Sequence, residues 1–237
     1  MILVIIAAAA FSSTIAGGVL ALRLRDKLHL ILGFSAGAVI GVAFFDLLPE
    51  AIAFGGKSHS PATILSYTAL GFLAYLVLDR ILLFHGDAAP GAAAPRGPVA
   101  AGVLCIHSLL DGVAIGLAFQ ASHQVGIVVA IAVLTHDFSD GINTMNIVLK
   151  NRASRSEAMR WLAADAIAPA LGVASTFFYT LPGEALGTAL ALFAGFFLYI
   201  GASDLIPESY HAHPKFLTTV MTLAGAAVLY LAISLIG

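Results

Sequence analysis

The hexapeptides HSLLDG (residues 107–112) and HDFSDG (residues 136–141) repeat one polar pattern, H-x-x-x-D-G, within apolar sequence. Each copy lies near the middle of a segment that is long enough to cross a lipid bilayer as an α-helix. Imidazole and carboxylate groups are costly at that depth, so they need a partner or a function. The pattern therefore predicts two transmembrane helices that carry a functional polar site.

The composition is that of an integral membrane protein. Of the 237 residues, 60% are hydrophobic and 10% are charged, and the mean hydropathy is +0.99. A soluble domain carries about 25% charged residues, so this chain lacks the polar surface that a water-soluble globule needs. The net charge of −2 and the lack of a basic patch give no indication of nucleic-acid binding. The single Cys105 excludes an internal disulfide and a multi-thiolate metal site.

Apolar segments alternate with short polar breaks, which predicts an all-α membrane fold of eight transmembrane helices in one transporter domain, residues 1–237. The predicted helices span residues 2–22, 29–52, 63–84, 99–119, 124–149, 158–180, 185–208 and 216–236. A loop rich in Ala, Pro and Gly is predicted on the inner side at residues 85–98.

The basic residues predict the orientation. Ten of the eleven Lys and Arg residues fall on one side of the predicted bundle, and Lys57 alone falls on the other. Because basic residues concentrate on the cytoplasmic side, we expect both termini outside. The expected location is the plasma membrane, which in a bacterium is the inner membrane.

A second repeat relates the second and seventh predicted helices. The second helix ends in DLLPE (residues 46–50), and the seventh ends in DLIPE (residues 204–208). The two helices run in opposite directions, so the motif lies near the outer face in one and near the inner face in the other. Such inverted repeats around a midplane site are typical of alternating-access transporters. A single copy would be explained better as a helix-ending device, whereas two copies at matched positions in opposed helices favour a duplication.

Positions i and i+4 share one face of a helix, so each H-x-x-x-D pair can bind one ion. The fourth and fifth helices are joined by a short turn. His107 lies about nine residues after the start of the fourth helix, and His136 about twelve residues after the start of the fifth. At about 1.5 Å per residue, both lie roughly 14–18 Å into the membrane, near its middle. We therefore expect His107, Asp111, His136 and Asp140 to form one site. Imidazole with carboxylate suits Zn²⁺, and also Fe²⁺ or Mn²⁺.

Further polar residues predict a second, adjacent ion. Asp137 points about 100° away from His136, and Ser108 is its counterpart on the fourth helix; Asp165 and Asn143 are additional candidates. Four acids lie in the middle of the fourth to sixth helices: Asp111, Asp137, Asp140 and Asp165. Together they would cost on the order of 10 kcal/mol if they were unpaired. A hydrogen-bonded network that holds helices together and a proton relay are the alternatives to metal binding.

Acids and histidines outside the midplane are candidates for the transport path. These residues are Asp46, Glu50, Asp204, Glu208, His211 and His213. Asp46 and Glu50 would lie near the outer mouth, and the other four near the inner mouth. For the loop histidines, ordinary solvated side chains are the alternative.

With these residues in place, the chain resembles the ZIP (Zrt/Irt-like) family of divalent metal transporters. The similarity covers eight spans and the polar signatures of the fourth and fifth helices. It also covers GFSAG (residues 33–37) before DLLPE in the second helix, and AGFFLYI (residues 194–200) before the seventh helix ends in Pro207-Glu208.

The resemblance implies a 3+2+3 inverted-repeat bundle that moves metal into the cytosol, with Zn²⁺ the usual substrate and Fe²⁺, Mn²⁺ or Cd²⁺ also transported. It implies a two-metal site in which His107, Asp111, His136 and Asp140 hold the first ion. Ser108 and Asp137 would hold the second ion together with the shared acids. It further implies that helices 1, 4, 5 and 6 move as an elevator against helices 2, 3, 7 and 8, and that the protein forms a homodimer.

The chain departs from the family pattern, which often reads H-N-x-P-E-G and H-x-x-P-E-G. Leu110 and Ser139 replace the prolines, and Asp111 and Asp140 replace glutamates, which shortens their reach by one methylene. These changes bear on ion preference and on the second ion rather than on the fold.

Two other functional classes fit part of the sequence. A membrane-embedded zinc hydrolase would also need His and Asp at the midplane. A cation channel would need a continuous polar pore, whereas the first, third and eighth helices are almost uncharged. We therefore predict a transporter rather than an enzyme.

Overall fold

The structure is a computed structural model that describes residues 1–20, 28–56, 58–86, 96–150, 154–211 and 216–236. Eight of its helices are long and apolar enough to cross a membrane, which confirms the predicted all-α integral membrane fold. The helices are α1 (Ile2–Leu20), α2 (residues 28–55), α3 (Pro61–Gly86), α4 (Arg96–Ala121), α5 (His123–Lys150), α6 (Arg155–Ser175), α7 (residues 183–211) and α8 (Phe216–Ile236).

The observed helix ends lie within about three residues of the predicted ones, except at the end of the sixth helix. The helix predicted at residues 158–180 ends as an α-helix at Ser175, and a 3₁₀ turn, Thr176–Phe178, follows it. Tyr179 is extended, which ends the helical run before Pro182. The loop predicted at residues 85–98 is shorter at both ends, because α3 continues to Gly86 and α4 begins at Arg96. Residues 87–95 lie outside the described part of the chain.

Serine caps begin three of the helices. The Ser60, Ser122 and Ser154 hydroxyls accept hydrogen bonds from the backbone N–H groups of Thr63, Val125 and Glu157, at 3.1–3.2 Å. Each bond satisfies a donor that the first turn of a helix leaves without a partner. These caps place the starts of α3, α5 and α6 at defined residues, and α5 carries half of the predicted metal site.

Both D-L-[LI]-P-E motifs contain a π-helical turn. In α2 the turn is Ala43–Leu47, between α-helical Leu28–Val42 and Leu48–Gly55. In α7 it is Ile200–Leu205, between Gly183–Tyr199 and Ile206–His211. In each case the residue just before the proline donates its N–H to a carbonyl five residues back. Asp46 and Asp204 lie in these wide turns, which are frequent at functional sites.

The helices form two groups. One group contains α1, α4, α5 and α6, and the other contains α2, α3, α7 and α8. The groups meet mainly where α2 packs on α5 and where α3 and α7 pack on α4. We call these the α1/α4–α6 group and the α2–α3/α7–α8 group.

Reciprocal glycine contacts join helices in pairs inside each group. The glycine pairs are Gly17 with Gly141, Gly112 with Gly172, Gly37 with Gly225, and Gly71 with Gly195. In every pair, each glycine faces the backbone carbonyl of the residue three positions before the other glycine, and an added Cβ would overlap that oxygen. The missing side chains let the backbones approach closely enough for Cα–H···O contacts.

The connections α2–α3, α4–α5 and α6–α7 lie on the face that carries both termini, which we call the terminal face. There the Gln120 side chain donates to the carbonyls of Thr176 and Tyr179 and accepts from the N–H of Leu181. The Ser58 hydroxyl bonds to Glu184. The opposite ends of the eight helices define the loop face.

Candidate metal site

Four buried side chains converge between α4 and α5. Each of His107, Asp111, His136 and Asp140 offers one ligand atom, and these atoms all lie within 4.8 Å of one another. The helical spacing places His107 and Asp111 on one face of α4, and His136 and Asp140 on one face of α5. The short turn at Ser122 sets the two helices side by side. The structure therefore brings together the four residues that the two H-x-x-x-D-G patterns single out.

The donor atoms are spaced as a small cation requires. The His107 Nε2 atom lies 3.1 Å from Asp111 Oδ2 and 3.5 Å from Asp140 Oδ2. The His136 Nε2 atom lies 3.3 Å from Asp111 Oδ2 and 3.9 Å from Asp140 Oδ2. In a tetrahedral zinc site with bonds of about 2.0–2.2 Å, neighbouring donors are roughly 3.3–3.6 Å apart. The four His–Asp distances, 3.1–3.9 Å, bracket that spacing.

Both imidazoles are fixed at the nitrogen that faces away from the site. The His136 Nδ1–H donates to the backbone carbonyl of Ala132 at 2.9 Å, which turns the Nε2 atom towards the acids. The His107 Nδ1 atom lies 2.6 Å from the hydroxyl of Tyr75 on α3. Metal-binding histidines ordinarily have such a second partner, because it orients the ring and selects the tautomer.

The site is sealed from solvent in this conformation. The exposed fractions are 0% for His136, 2% for Asp111, 4% for His107 and 5% for Asp140. One oxygen of Asp140 has no hydrogen-bond partner among the described residues. Buried carboxylates are costly unless a cation or a proton compensates them, and no Lys or Arg lies in the sequence of these helix centres. A divalent ion bound to these four residues would supply that compensation.

Asp165 of α6 lies in a second polar cluster beside the four ligands. It is 0% exposed. Its two carboxylate oxygens accept hydrogen bonds from Ser108 at 2.7 Å and from Thr144 at 2.8 Å. Asn143, the predicted oxygen donor, is half-buried, and its neighbour Thr144 is the residue that reaches Asp165. Hydroxyl donors therefore hold Asp165 in a fixed position next to α4 and α5.

Asp137 is buried at 1% exposure, and neither of its carboxylate oxygens has a hydrogen-bond partner among the described residues. It interacts electrostatically with Asp111, Asp140 and Asp165. It also interacts with His107, but the three neighbouring carboxylates oppose a negative charge there, so a bound cation would stabilise an ionised Asp137.

Asp46 and Asp204, the two acids predicted for the transport path, interact with different groups. Asp46 is buried and interacts electrostatically with Glu50, one helical turn towards the terminal face. Asp204 is half-buried and interacts with Asp79, His107 and Asp140. In this conformation the acid on the loop-face side is the one coupled to the metal site.

The remaining candidates for the transport path are Glu208, His211 and His213. Glu208 is exposed. The side chain of His211 and the whole of His213 lie outside the described residues.

Two residues of the site were missed by the sequence analysis. Thr144 lies four residues after Asp140 and so on the same helix face, a spacing that could have identified it. Tyr75 lies in the middle of an apolar span, where its hydroxyl needs a hydrogen-bond partner. No spacing within α3 could have shown that this partner is His107 of α4.

Eight helices long enough to span a membrane, around a buried His₂Asp₂ set that could hold a divalent metal ion, define the class of this membrane protein. Comparison with known proteins identifies the family. The model of the ZIP Zinc transporter family matches residues 87–232. The chain belongs to this family. Its named members are zinc transporters, which confirms the prediction of a transporter rather than an enzyme.

Individual relatives agree with this assignment. The chain is 26% identical to the zinc transporter ZupT of Corynebacterium aurimucosum, over 94% of this chain and 92% of the relative. It is 25% identical to the zinc transporter ZIP13 of Pongo abelii, over 76% of this chain and 58% of that protein. It is 30% identical to human zinc transporter ZIP6 over 45% of this chain, which is 14% of that longer protein.

Proposed function

We propose that this protein carries Zn²⁺ across the membrane by alternating access, from the terminal face outside to the loop face in the cytosol. The observation that carries the proposal is the set of four donor atoms on His107, Asp111, His136 and Asp140, 3.1–3.9 Å apart across the His–Asp pairs. An ion bound there is shielded from both sides, as an occluded substrate must be.

Zinc is the substrate that fits the donors best. Two imidazole nitrogens and two carboxylate oxygens near tetrahedral spacing are typical ligands of Zn²⁺. The relatives named above are called zinc transporters. Fe²⁺, Mn²⁺ and Cd²⁺ are further substrates compatible with nitrogen and oxygen ligands, whereas the single half-buried Cys105 adds no thiolate to the four donors.

A second ion would bind beside the first, between Ser108, Asp137 and the shared oxygens of Asp111 and Asp140. The two unpartnered oxygens of Asp137 support this assignment. Asp165 would act as the hydrogen-bonded wall of this second position, with Asn143 at its edge.

The inverted repeat is supported by the glycine contacts. If α1–α3 are matched to α6–α8, and α4 to α5, the pair Gly17 with Gly141 corresponds to Gly172 with Gly112. The pair Gly37 with Gly225 corresponds to Gly195 with Gly71. In both sets of pairs, each glycine faces the carbonyl of the residue three positions before its partner glycine.

The same contacts support an elevator motion. All four glycine pairs lie within the α1/α4–α6 group or within the α2–α3/α7–α8 group. Interlocked backbones make each group stiff, so relative motion would occur at the interface between the groups. The metal ligands all lie on α4 and α5, and would travel with the α1/α4–α6 group.

Asp46 with Glu50 and Asp204 with Glu208 would attract the ion at the two mouths of the path. The electrostatic contact of Asp204 with His107 and Asp140 supports a release route towards the loop face in this conformation. His211 and His213 would receive the ion beyond it. The basic residues on that side support a cytosolic loop face. The protein would lie in the plasma membrane as a homodimer.

Purified protein in proteoliposomes tests the proposal. Vesicles containing a zinc-sensitive dye should show metal entry that saturates with external Zn²⁺. Vesicles containing the His136→Ala variant should not, while His123→Ala, whose ring packs on Phe119 away from the site, serves as the matched control. Equal zinc entry with wild-type and His136→Ala protein would contradict the proposed site.

A further inference from the structure

Tyr75 links the metal site to the helix group that does not carry the ligands. Its hydroxyl oxygen lies 2.6 Å from His107 Nδ1, and its ring meets the imidazole edge to face, with centroids 5.8 Å apart. Tyr75 is 8% exposed. The contact crosses from α3 of the α2–α3/α7–α8 group to α4 of the α1/α4–α6 group.

The ring of Tyr75 is held by its own group. It packs on Phe196 and Tyr199 of α7, with ring centroids 5.6 Å and 5.2 Å away. The helices α3 and α7 are further joined by the reciprocal contacts of Gly71 and Gly195. Besides its contact with His107, the Tyr75 side chain is therefore held by α3 and α7.

The two metal-site histidines differ in this respect. His136 donates its Nδ1–H to the carbonyl of Ala132, four residues earlier in the same helix. That partner accompanies His136 wherever α5 moves. His107 takes its partner from another helix, so its orientation depends on how α4 lies against α3.

We infer that Tyr75 is a positioning residue for the transported ion, and that its hydroxyl oxygen accepts the His107 Nδ1–H and so directs the Nε2 lone pair at the ion. An imidazole that binds a metal through Nε2 must carry its proton on Nδ1, and a donor at that position needs an acceptor in a buried site. The Tyr75 oxygen is the acceptor at hydrogen-bond distance.

This inference rests on the proposed function only in treating the bound ion as the transported substrate. Metal affinity of purified protein can be measured without transport. Loss of an outer partner of a metal-binding histidine typically lowers affinity about 10–100-fold. Tyr75→Phe removes the acceptor and keeps the ring that packs on Phe196 and Tyr199.

The experiment is an equilibrium titration of the full-length protein with Zn²⁺ in competition with a chromophoric chelator. Tyr75→Phe should raise the dissociation constant at least about tenfold without changing the number of ions bound. Tyr67→Phe is the matched control, because Tyr67 lies on the same helix and packs on His59 instead. It should bind like the wild type. His107→Ala reports the affinity when the ligand itself is lost.

A second substitution separates hydrogen bonding from packing. Site-specific 3-fluorotyrosine at position 75 keeps the ring and the hydroxyl but makes the oxygen a weaker acceptor. Its dissociation constant should fall between those of the wild type and Tyr75→Phe. This series also provides the test if Tyr75→Phe does not fold, since the fluorinated residue preserves the shape of the side chain.

The outcomes distinguish an error in the metal site from an error in the role of Tyr75. If wild-type protein binds no zinc, or His107→Ala binds as tightly as the wild type, the proposed site itself is wrong. If the wild type binds zinc, His107→Ala does not, and the position-75 variants bind like the wild type, the site stands and the role of Tyr75 is overturned.

Discussion

Gly37 of α2 and Gly195 of α7 hold the same place relative to the D-L-[LI]-P-E motif: each lies nine residues before its aspartate and faces a carbonyl of a neighbouring helix. Gly37 faces the carbonyl of Thr222 in α8, and Gly195 faces that of Thr68 in α3. A helix-ending device would explain the motif but not the matched glycines nine residues before each aspartate. The relationship therefore favours a duplicated unit over a coincidence of two helix ends.

We predict that Gly112→Ala destabilises the protein. The added Cβ would overlap the carbonyl of Pro169 in α6, so α4 and α6 would have to separate. Overpacking of this kind typically costs about 1–3 kcal/mol. The thermal midpoint of the purified protein should fall, and uptake should fall with it, because Asp111 adjoins Gly112.

Gly102→Ala is the control on the same helix. A Cβ there would lie 3.7 Å from the ring of Trp161, an ordinary contact. Alanine is also a better helix former than glycine by roughly 0.5–1 kcal/mol, so stability should be unchanged or improved. Equal midpoints for the two variants would contradict the role of the close approach.

We predict that His107→Ala and Asp140→Ala each remove most zinc uptake while the protein still reaches the membrane. Each variant loses one of four donors, so the affinity should fall by more than the roughly 100-fold that an outer partner can contribute. Uptake in cells, normalised to the surface protein, measures this effect. Normal uptake by both variants would reject the midplane site.

The chemical identity of the site was predictable from sequence because the ligands lie on two adjacent helices joined by a short turn. The spacing of four residues fixes the face within each helix, and the turn fixes the neighbour. The eight helices were predictable for a similar reason, since length and apolarity alone identify a membrane span. Both arguments use information that is local in the chain.

What the sequence did not reveal depends on contacts between distant segments. Tyr75 and His107 meet because α3 packs on α7 and α4 packs on both, and no local pattern encodes that arrangement. The two π turns were likewise not predicted, although each ends two residues before the proline of the repeated motif. The sixth helix was predicted too long because its apolar sequence continues past Ser175, where the backbone becomes extended at Tyr179.

We predict that Asp46→Asn slows uptake but leaves zinc binding at the midplane intact. Asp46 interacts electrostatically with Glu50, towards the terminal face, so its charge would act on the arriving ion rather than on the bound one. Loss of one charge at a mouth should lower the rate of ion entry by up to about tenfold. Initial uptake rates measure this, with Glu157→Gln at the start of α6 as a control on the loop face.

Equilibrium titration of Asp46→Asn then separates entry from binding. The number of bound ions and their affinity should match the wild type. A variant that has lost bound zinc would show that Asp46 belongs to the site itself.

Finally, we predict that Asp137→Asn abolishes one of two bound ions and leaves the other. Neither oxygen of Asp137 has a partner among the described residues, whereas both oxygens of Asp165 accept hydroxyl hydrogen bonds. The amide keeps the size of the side chain but removes the charge that a second cation would need, and the four ligands of the first ion stay unchanged. Zinc per protein, measured by metal analysis after equilibrium dialysis, should fall from two to one. Retention of two ions would remove Asp137 from the second position, and loss of both would show that the two positions are one site.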